Sequence, residues 1–593
     1  MSGSLTRILT DKASVELERS IIATWKESEQ SEGLPIPSEQ GRNGESLLIR
    51  RLSVVRTLTD GQRSSIETAL TGTGRYVGVQ GFAGTGKTHM LERLAHYAHG
   101  AGYEVKGMAP SHQAVHELAS VLGSAETLAK NTTAERHHPE DVDNSKTILV
   151  VDEASMASAK EMRDLMDYAE RTGSPRVVFV GDTQQLDAVA AGQPFAQLQK
   201  AGMRTAVMDD IRRQRDVDLK EAVYHSIRGE IQPALDRLDG NVLEVDDPRA
   251  EAADRYLSLP PEVRDTTRIL TLTNAARSEI NESVREGMWK EGTLTGEEVT
   301  VQGLSNQQLT ESQLADARSY AVGSRVIPVA TTEKFGLVKN NVYVVSQSDP
   351  ERNRITVTHE ETGKKSILPL EAKFNRRELG KSLVAYDPEQ REVAAGDQVR
   401  FRITDKESGI TNGLRAVISS TSGRVLEATG QDGSTISLPI NSVAARGLEH
   451  DYAVTAHAVQ GESVDRVIIA MRSTERLATQ KAFYVEISRA RDEAVLLTDD
   501  PEKLSKTIEN QTGIRSTALD TWMDGRLIGV RDLPPPEDKS KDQPEKTPAP
   551  EKVKETKAKD QDTPYLPGIM EDKIKEVEKQ AEIVLQRERG IER

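Results

Sequence analysis

Between Thr57 and about Arg204, short apolar runs alternate with amphipathic stretches. Four runs stand out: RYVGVQ from Arg75, YEVKGMA from Tyr103, TILVVDE from Thr147 and RVVFVGD from Arg176. They are largely apolar at successive positions, the pattern of strands covered on both faces, so this stretch predicts a parallel sheet flanked by helices. A second α/β region starts near Met208, is interrupted, and resumes after Leu448 with DRVIIAM and AVLLTDD. Ahead of the first region, Val15, Leu17, Ile21, Ile22 and Trp25 fall at roughly helical spacing, and a Pro/Gly/Ser-rich stretch follows at 31–45.

The interruption has a different texture. Over about 320–445, short β-type runs are punctuated by Gly, Asn and Asp, and the segment repeats itself. GSRVIPVATTEKFGLVKN (323–340) aligns with GDQVRFRITDKESGITNG (396–413), with glycines 323 and 336 matching 396 and 409; GKKSILPL (363–370) aligns with GSTISLPI (433–440). The expectation is two tandem small SH3-like β-barrels, one per repeat. From Leu533 to about Asp562 the chain is rich in Pro, Lys and Glu and nearly free of apolar residues, the composition of a disordered tail. An amphipathic pattern returns over 570–590 and predicts an isolated helix.

The expected fold class is therefore α/β, with two parallel sheets. The divisions are an N-terminal helical segment, 1–56; a first parallel-sheet domain, 57–204, with a short insertion near 129–146; a second domain in two parts, 205–300 and 448–532; a β-rich insertion, 301–447; and a flexible tail with a terminal helix, 533–593.

Composition narrows the function classes. With 593 residues, 36% hydrophobic and 29% charged, the chain reads as globular and multidomain. No apolar run of about 18 residues appears, so no membrane insertion is expected, and Met1–Lys12 lacks a signal-peptide pattern. Cysteine is absent, which excludes disulfides, thiolate zinc sites and a cysteine nucleophile and fits a cytoplasmic location. The net charge of −16 argues against a broad basic footprint for nucleic acid, but a narrow groove can be basic inside an acidic shell.

The most specific chemistry lies at Gly81-Phe82-Ala83-Gly84-Thr85-Gly86-Lys87-Thr88, which fits GxxxxGK[ST] between a strand and a helix. Glycines let backbone N–H groups wrap phosphates, with the helix dipole behind them. Lys87 is expected to reach the β- and γ-phosphates of ATP, and the Thr88 hydroxyl to ligate Mg²⁺. ILVVDEAS ends a strand with two carboxylates: Asp152 is placed to hold Mg²⁺ through water, and Glu153 to polarise the attacking water. In VFVGDTQQLDAV, the neutral amide of Gln185 is a candidate γ-phosphate sensor.

The ordered set LTDGQ (58–62), GFAGTGKT, APSHQAV (109–115), VVDEAS, GDTQQL, IRRQ (211–214), YAVTAHAVQGES (452–463) and YVEISRAR (484–491) resembles the superfamily 1 helicases of the RecD-like branch over about 57–500. Within that branch it most resembles the helicase portion of conjugative relaxase–helicases of the TraI/TrwC type. The resemblance implies that the two parallel-sheet domains are RecA-like, that Gln62 reads adenine, that Gly461 closely approaches the nucleotide, and that Arg213 and Arg489 act as arginine fingers from the second domain. Glu462 lies near a ribose-holding glutamate of some relatives, but out of their register. The resemblance also implies DNA contacts at Pro110, Ser111, His112, Thr273, Asn274, Arg277, Thr455 and His457, groups suited to phosphate and sugar contacts. Aromatics make up only 4% of the chain, so extensive base stacking is not expected.

The implied function is an ATP-dependent 5′→3′ helicase on single-stranded DNA and duplex junctions, the motor of a conjugative relaxase. A repair or recombination helicase of the same branch is one alternative, and a non-hydrolysing single-strand binding module another. Relaxases of this type carry N-terminal tyrosines and a His-rich metal site; Met1–Thr57 holds neither Tyr nor His, so the chain is either the helicase portion alone or lacks nicking activity. The tail reads as a docking segment for a secretion or coupling partner, or as an expendable linker. Residues 129–146 are the candidate strand-separating element.

Overall fold

The computed structural model describes residues 12–29, 48, 52, 55–129, 142–187, 191–374, 377–405, 408–431 and 433–523. The expected tail and terminal helix, and most of the 129–146 insertion, lie outside these residues.

The first sheet contains β1 (Tyr76–Gly81), β2 (Glu104–Ala109), β3 (Ala125–Thr127), β4 (Thr147–Val151), β5 (Arg176–Gly181) and β6 (Thr205–Met208). Their order is β3-β2-β4-β5-β1-β6, with every pairing parallel. The four predicted runs are β1, β2, β4 and β5. The edge strands β3 and β6 were not predicted: three and four residues are too short to carry an apolar pattern. Because β6 pairs with β1, the first sheet extends past residue 204. One face packs on the helices Asp60–Leu70 and Lys87–Gly100, the other on Ala159–Arg171 and the N-terminal helix Lys12–Ser28, whose Ile21 and Trp25 are buried.

The second sheet joins the two separated parts of the chain. It contains β7 (Val242–Glu244) and β8 (Thr267–Thr271) from one part and β22 (Ala453–Thr455), β23 (Val464–Ala470) and β24 (Ala490–Thr498) from the other, in the order β22-β8-β23-β24-β7, again all parallel. Apolar clusters cover both of its faces. One of them takes in Ala83 of the phosphate loop, so the two α/β units share core at the site.

Between β8 and β22 lie two antiparallel sheets. The first contains β9 (Thr295–Asn306), β10 (Arg325–Pro328), β11 (Tyr343–Asp349), β12 (Arg354–His359), β13 (Lys365–Pro369) and β16 (Leu383–Ala395), in the order β13-β12-β11-β10-β16-β9, beside a small ribbon of β14 (Lys373–Phe374) and β15 (Arg377–Glu378). The second contains β17 (Gln398–Phe401), β18 (Arg415–Thr421), β19 (Val425–Gly430), β20 (Thr435–Pro439) and β21 (Leu448–His450), in the order β20-β19-β18-β17-β21. The repeat is visible in detail. Arg325 pairs with Val344 as Gln398 pairs with Val417; the ladder shifts between Val345 and Gln347 as between Ile418 and Ser420; and the isolated bridge Thr332–Leu337 matches Asp405–Ile410. The strand pairing itself leaves β13 and β20 as sheet edges.

Only Gly396 and Asp397 separate β16 from β17. Gly396 has φ +98°, and a Cβ there would come within 2.9 Å of the Thr293 carbonyl oxygen, so glycine is needed for both conformation and space. Asp397 is fully buried. It accepts from the Ala394 N–H at 2.7 Å, the Tyr452 hydroxyl at 2.8 Å and Arg285 Nε at 3.1 Å, which pins the corner to the second parallel-sheet domain.

Candidate nucleotide and DNA cleft

β1 delivers the chain at Gly81 into a turn that runs through Gly84 and Gly86, both near φ +80°, and on to the helix Lys87–Gly100. A Cβ on Gly84 would lie 2.6 Å from Cβ of Arg213, and one on Gly86 2.6 Å from Nε2 of Gln62. Lys87 Nζ donates to the Gly81 carbonyl at 2.9 Å, folding over its own loop, and the Thr85 hydroxyl donates to the Phe82 carbonyl at 2.8 Å. Thr88 is exposed. Gln62 is buried beneath the loop. Its Oε1 accepts from the Thr59 N–H at 3.0 Å, completing a capping box, and its Nε2 donates to the Thr85 and Gly86 carbonyls at 3.1 and 3.2 Å. Its amide therefore supports the loop.

Asp152 and Glu153 follow β4. Glu153 is a non-glycine residue at φ +50°, and backbone held in that region at a cleft is a common mark of function. Its N–H donates to Asp152 Oδ1 at 2.9 Å, while its own Oε2 is buried with no hydrogen-bond partner among the described residues. Burial, and then the neighbouring Glu153, push the Asp152 carboxyl up to about 7 against the pull of Lys87. Negative charge concentrated in this way suits a hard divalent cation, which takes oxygen ligands.

The second parallel-sheet domain closes on these groups. Arg489 is fully buried; its Nε donates to the Val485 carbonyl at 3.1 Å, Nη1 to the Glu462 carbonyl at 3.4 Å and Nη2 to Gln185 Oε1 at 3.1 Å. Arg213 Nη1 donates to the Ser488 carbonyl at 2.9 Å; burial, then Arg489, bring its guanidinium down to about 10. The neighbouring arginines turn outward: Arg212 pairs with Asp210 and Arg491 with Asp465. Asp182, fully buried after β5, gathers the seam. It accepts from Gln80 Nε2 at 3.1 Å, Gln185 Nε2 at 3.0 Å and the Tyr484 hydroxyl at 2.7 Å. The same Tyr484 oxygen accepts from the Ala83 N–H at 2.7 Å, and Lys481 pairs with Asp187 nearby.

A cavity of about 440 Å³ opens beside the carboxylates. The first domain lines it with Pro110, Ser111, Asp152 and Glu153, the second with His457 and Gly461, and the β-rich insertion with Arg400, Arg402 and Asn412. Ser111 caps the helix His112–Leu122, its hydroxyl accepting from the Ala114 N–H at 3.2 Å. Thr273 does the same for the helix Asn274–Glu291, accepting from Ala276 at 3.1 Å. The two helices stand in equivalent places, one after β2 and one after β8, and their N-termini are ready anion sites. Asn274 is exposed, Thr455 ends β22, and His457 is exposed at the cavity. Arg277 is paired with Glu449, so its charge is already neutralised within the fold.

Sequence reasoning did not single out Asp182, Lys481, Tyr484, Arg400, Arg402 or Asn412. Tyr484 and Asp182 lie inside quoted blocks, but they meet each other across 302 residues of chain. Arg400, Arg402 and Asn412 belong to the second repeat, whose glycine spacing gave its shape and not its neighbours.

The family described as an AAA domain matches residues 57–245. The multifunctional conjugation protein TraI of Escherichia coli is 26% identical over 90% of this chain and 32% of its own length. The conjugal transfer protein TraA of Rhizobium radiobacter is 24% identical over 74% of this chain and 32% of its own. The ATP-dependent RecD2 DNA helicase of Deinococcus radiodurans is 32% identical over 26% of this chain and 22% of its own. Among solved structures, Bacteroides Pif1 helicase with ADP-AlF3 and single-stranded DNA overlays with a TM-score of 0.44 at 17% identity, covering 79% of this chain and 97% of that one. The chain thus spans about a third of the length of the curated relatives TraI and TraA. It resembles the RecD-like superfamily 1 helicases and, among them, the TraI type.

Proposed function

We propose that this chain is an ATP-dependent DNA helicase that translocates 5′→3′ on single-stranded DNA and serves as the unwinding motor of a conjugative relaxase. The observation that carries the reading is the seam itself: Arg489 donates to Gln185 of the first domain, Arg213 packs against Gly84 of the loop that leads to Lys87, and both guanidiniums feel the charge of Glu153, the neighbour of Asp152. Such a split site makes hydrolysis depend on domain closure, which is what a translocating motor needs.

In this reading the backbone of Gly81–Thr88 cradles ATP phosphates and Gly461 lies toward the nucleoside; Gln62 reads adenine only if its amide leaves Thr59 and the loop carbonyls. Thr88 and Asp152 would hold Mg²⁺, which supplies charge neutralisation at the β- and γ-oxygens. Glu153 orients and deprotonates water, Gln185 reports on the terminal phosphate, and Arg213 and Arg489 stabilise developing charge. The strand crosses the N-termini of the helices after β2 and β8, beside Pro110, Ser111, His112, Thr273, Asn274, Thr455 and His457; Arg277 acts there only if it leaves Glu449. The domain divisions are those read from the sequence, with the first domain extended through β6 and the six-stranded and five-stranded antiparallel sheets read as small SH3-like barrels. Residues 129–146 are read as the strand separator, the cytoplasm as the location, and secretion or coupling proteins as partners of the tail. Among the described residues no helix is long and apolar enough to cross a membrane.

The test is unwinding, with ATP and Mg²⁺, of duplexes bearing either a 5′ or a 3′ single-stranded tail. Unwinding from the 5′ tail is expected; unwinding only from the 3′ tail would reverse the polarity, and ATP-independent binding without unwinding would remove the motor reading.

A further inference from the structure

Arg400 sits on β17, in the second antiparallel sheet, and is almost wholly buried. Its guanidinium leaves the insertion for the second parallel-sheet domain. Nε donates to Asp451 Oδ1 at 2.7 Å, Nη1 to the Ala458 carbonyl at 3.0 Å and Nη2 to Glu462 Oε1 at 2.7 Å. Ala458 and Glu462 belong to the turn between β22 and β23, the turn that carries Gly461 at φ +89° and lines the cavity. The carbonyl of that same Glu462 accepts from Arg489 Nη1. The contacts therefore form one continuous series, from β17 through Arg400 and Glu462 to Arg489, and from Arg489 across the cleft to Gln185.

This arrangement also assigns Glu462 a place. Its carboxylate faces the insertion, with Arg400 on one oxygen and Arg415 Nη1 at 3.9 Å from the other. Stability alone explains the arrangement poorly. Buried ion pairs gain little net free energy after desolvation. The insertion is also fastened elsewhere, by Asp397 to Arg285 and Tyr452 and by Glu449 to Arg277. What the Arg400 contacts add is position: a planar fork fixes two points of one turn at once, which an ammonium cannot do.

We propose that Arg400 is a positioning residue for ATP hydrolysis, holding the turn 458–462 so that Arg489 is presented to the nucleotide, and thereby tying the finger to the placement of the β-rich insertion. The inference rests on the reading of Arg489 as an arginine finger, so the experiment tests the two separately. ATP hydrolysis by the full chain is followed as a function of ATP and of oligothymidylate for Arg400→Lys, Glu462→Gln, their double variant and Arg489→Ala; oligothymidylate affinity is read by fluorescence anisotropy. For Arg400→Lys, kcat at saturating oligothymidylate is expected to fall by about tenfold or more, with KM for ATP and Kd for oligothymidylate within about threefold of the parent. The double variant is expected to be little worse than the poorer single one, because the two residues act through one contact. Glu462→Gln keeps the Arg400–Asp451 pair, so it carries the test if the lysine variant misfolds. A kcat within about twofold of the parent, additive losses, or a defect confined to oligothymidylate affinity would each overturn the proposal. If Arg489→Ala keeps its stimulated rate, the finger reading fails; if it loses that rate while Arg400→Lys keeps it, only the positioning role fails.

Discussion

Arg489 of the second parallel-sheet domain donates from Nη2 to Oε1 of Gln185 on the first, 3.1 Å away, in a contact closed to solvent. A charge placed there can act on a phosphate only while the two domains are together. Arg489→Ala is expected to bind ATP and single-stranded DNA near normally and to lose most DNA-stimulated hydrolysis, by roughly 10³-fold or more, as fingers elsewhere do. Arg489→Lys should recover little, since a single ammonium does not reproduce the fork. Steady-state hydrolysis with and without DNA decides; a stimulated rate within about threefold of the parent for the alanine variant excludes the role.

Lys87 donates to its own loop and is not among the residues that line the cavity, although its charge pulls on Asp152 there. Lys87→Ala should abolish hydrolysis while leaving single-strand affinity within about threefold. Nucleotide binding by a fluorescent ATP analogue and DNA binding by anisotropy separate the two effects. A parallel loss of both would place the lysine in the DNA groove.

Tyr484 bridges the Ala83 N–H and Asp182 with one hydroxyl. Tyr484→Phe keeps the ring in the core and strips both bonds, leaving a buried backbone donor without an acceptor, a loss of about 1–3 kcal/mol. The melting temperature by scanning calorimetry should drop by a few degrees, and Tyr484→Ala, which also opens a cavity, should drop further. A phenylalanine variant that melts with the parent would mean that the hydroxyl is dispensable.

His450 gives the insertion a pH dependence. Burial, with Arg285 and Arg391 adding to it, brings the imidazole down to about 4 despite the attraction of Asp397. The unfolded chain, with a pKa near 6.5, binds the proton first, so this contribution is full above about 6.5 and is lost as pH falls toward 4, amounting to about 3 kcal/mol at most. Urea melts between pH 7 and 4 should show a shallower decline for His450→Gln than for the parent. Equal slopes would assign the acid sensitivity to other groups.

The interior strands of the first sheet were legible because their runs are apolar on both faces, which only a covered sheet requires. β3 and β6 were not, because an edge strand of three or four residues leaves no periodic signature. The repeat was legible through its glycines: those at 336 and 409 both sit at φ near +70°, where other residues are strained, so their spacing recorded a backbone shape. The glycine turn between β1 and the helix Lys87–Gly100, and the two acids after β4, were legible as local shapes because the residues that set them are near in sequence. The seam was not. That Asp182 would meet Tyr484, or Arg400 would meet Glu462, depends on how separate sheets pack, and no local pattern encodes it.

The two-residue corner at Gly396 and Asp397 has a mechanical consequence. β16 belongs to the first antiparallel sheet and β17 to the second, and the buried carboxylate between them is held from three sides. Such a joint has almost no slack. The tandem sheets must then swing as a single stiff lever, with any bending displaced to where the insertion meets the first parallel-sheet domain. Spectroscopic labels placed one in each antiparallel sheet would keep a constant separation through a turnover cycle, whereas a label in either sheet would change its distance to one on the helix Ala159–Arg171.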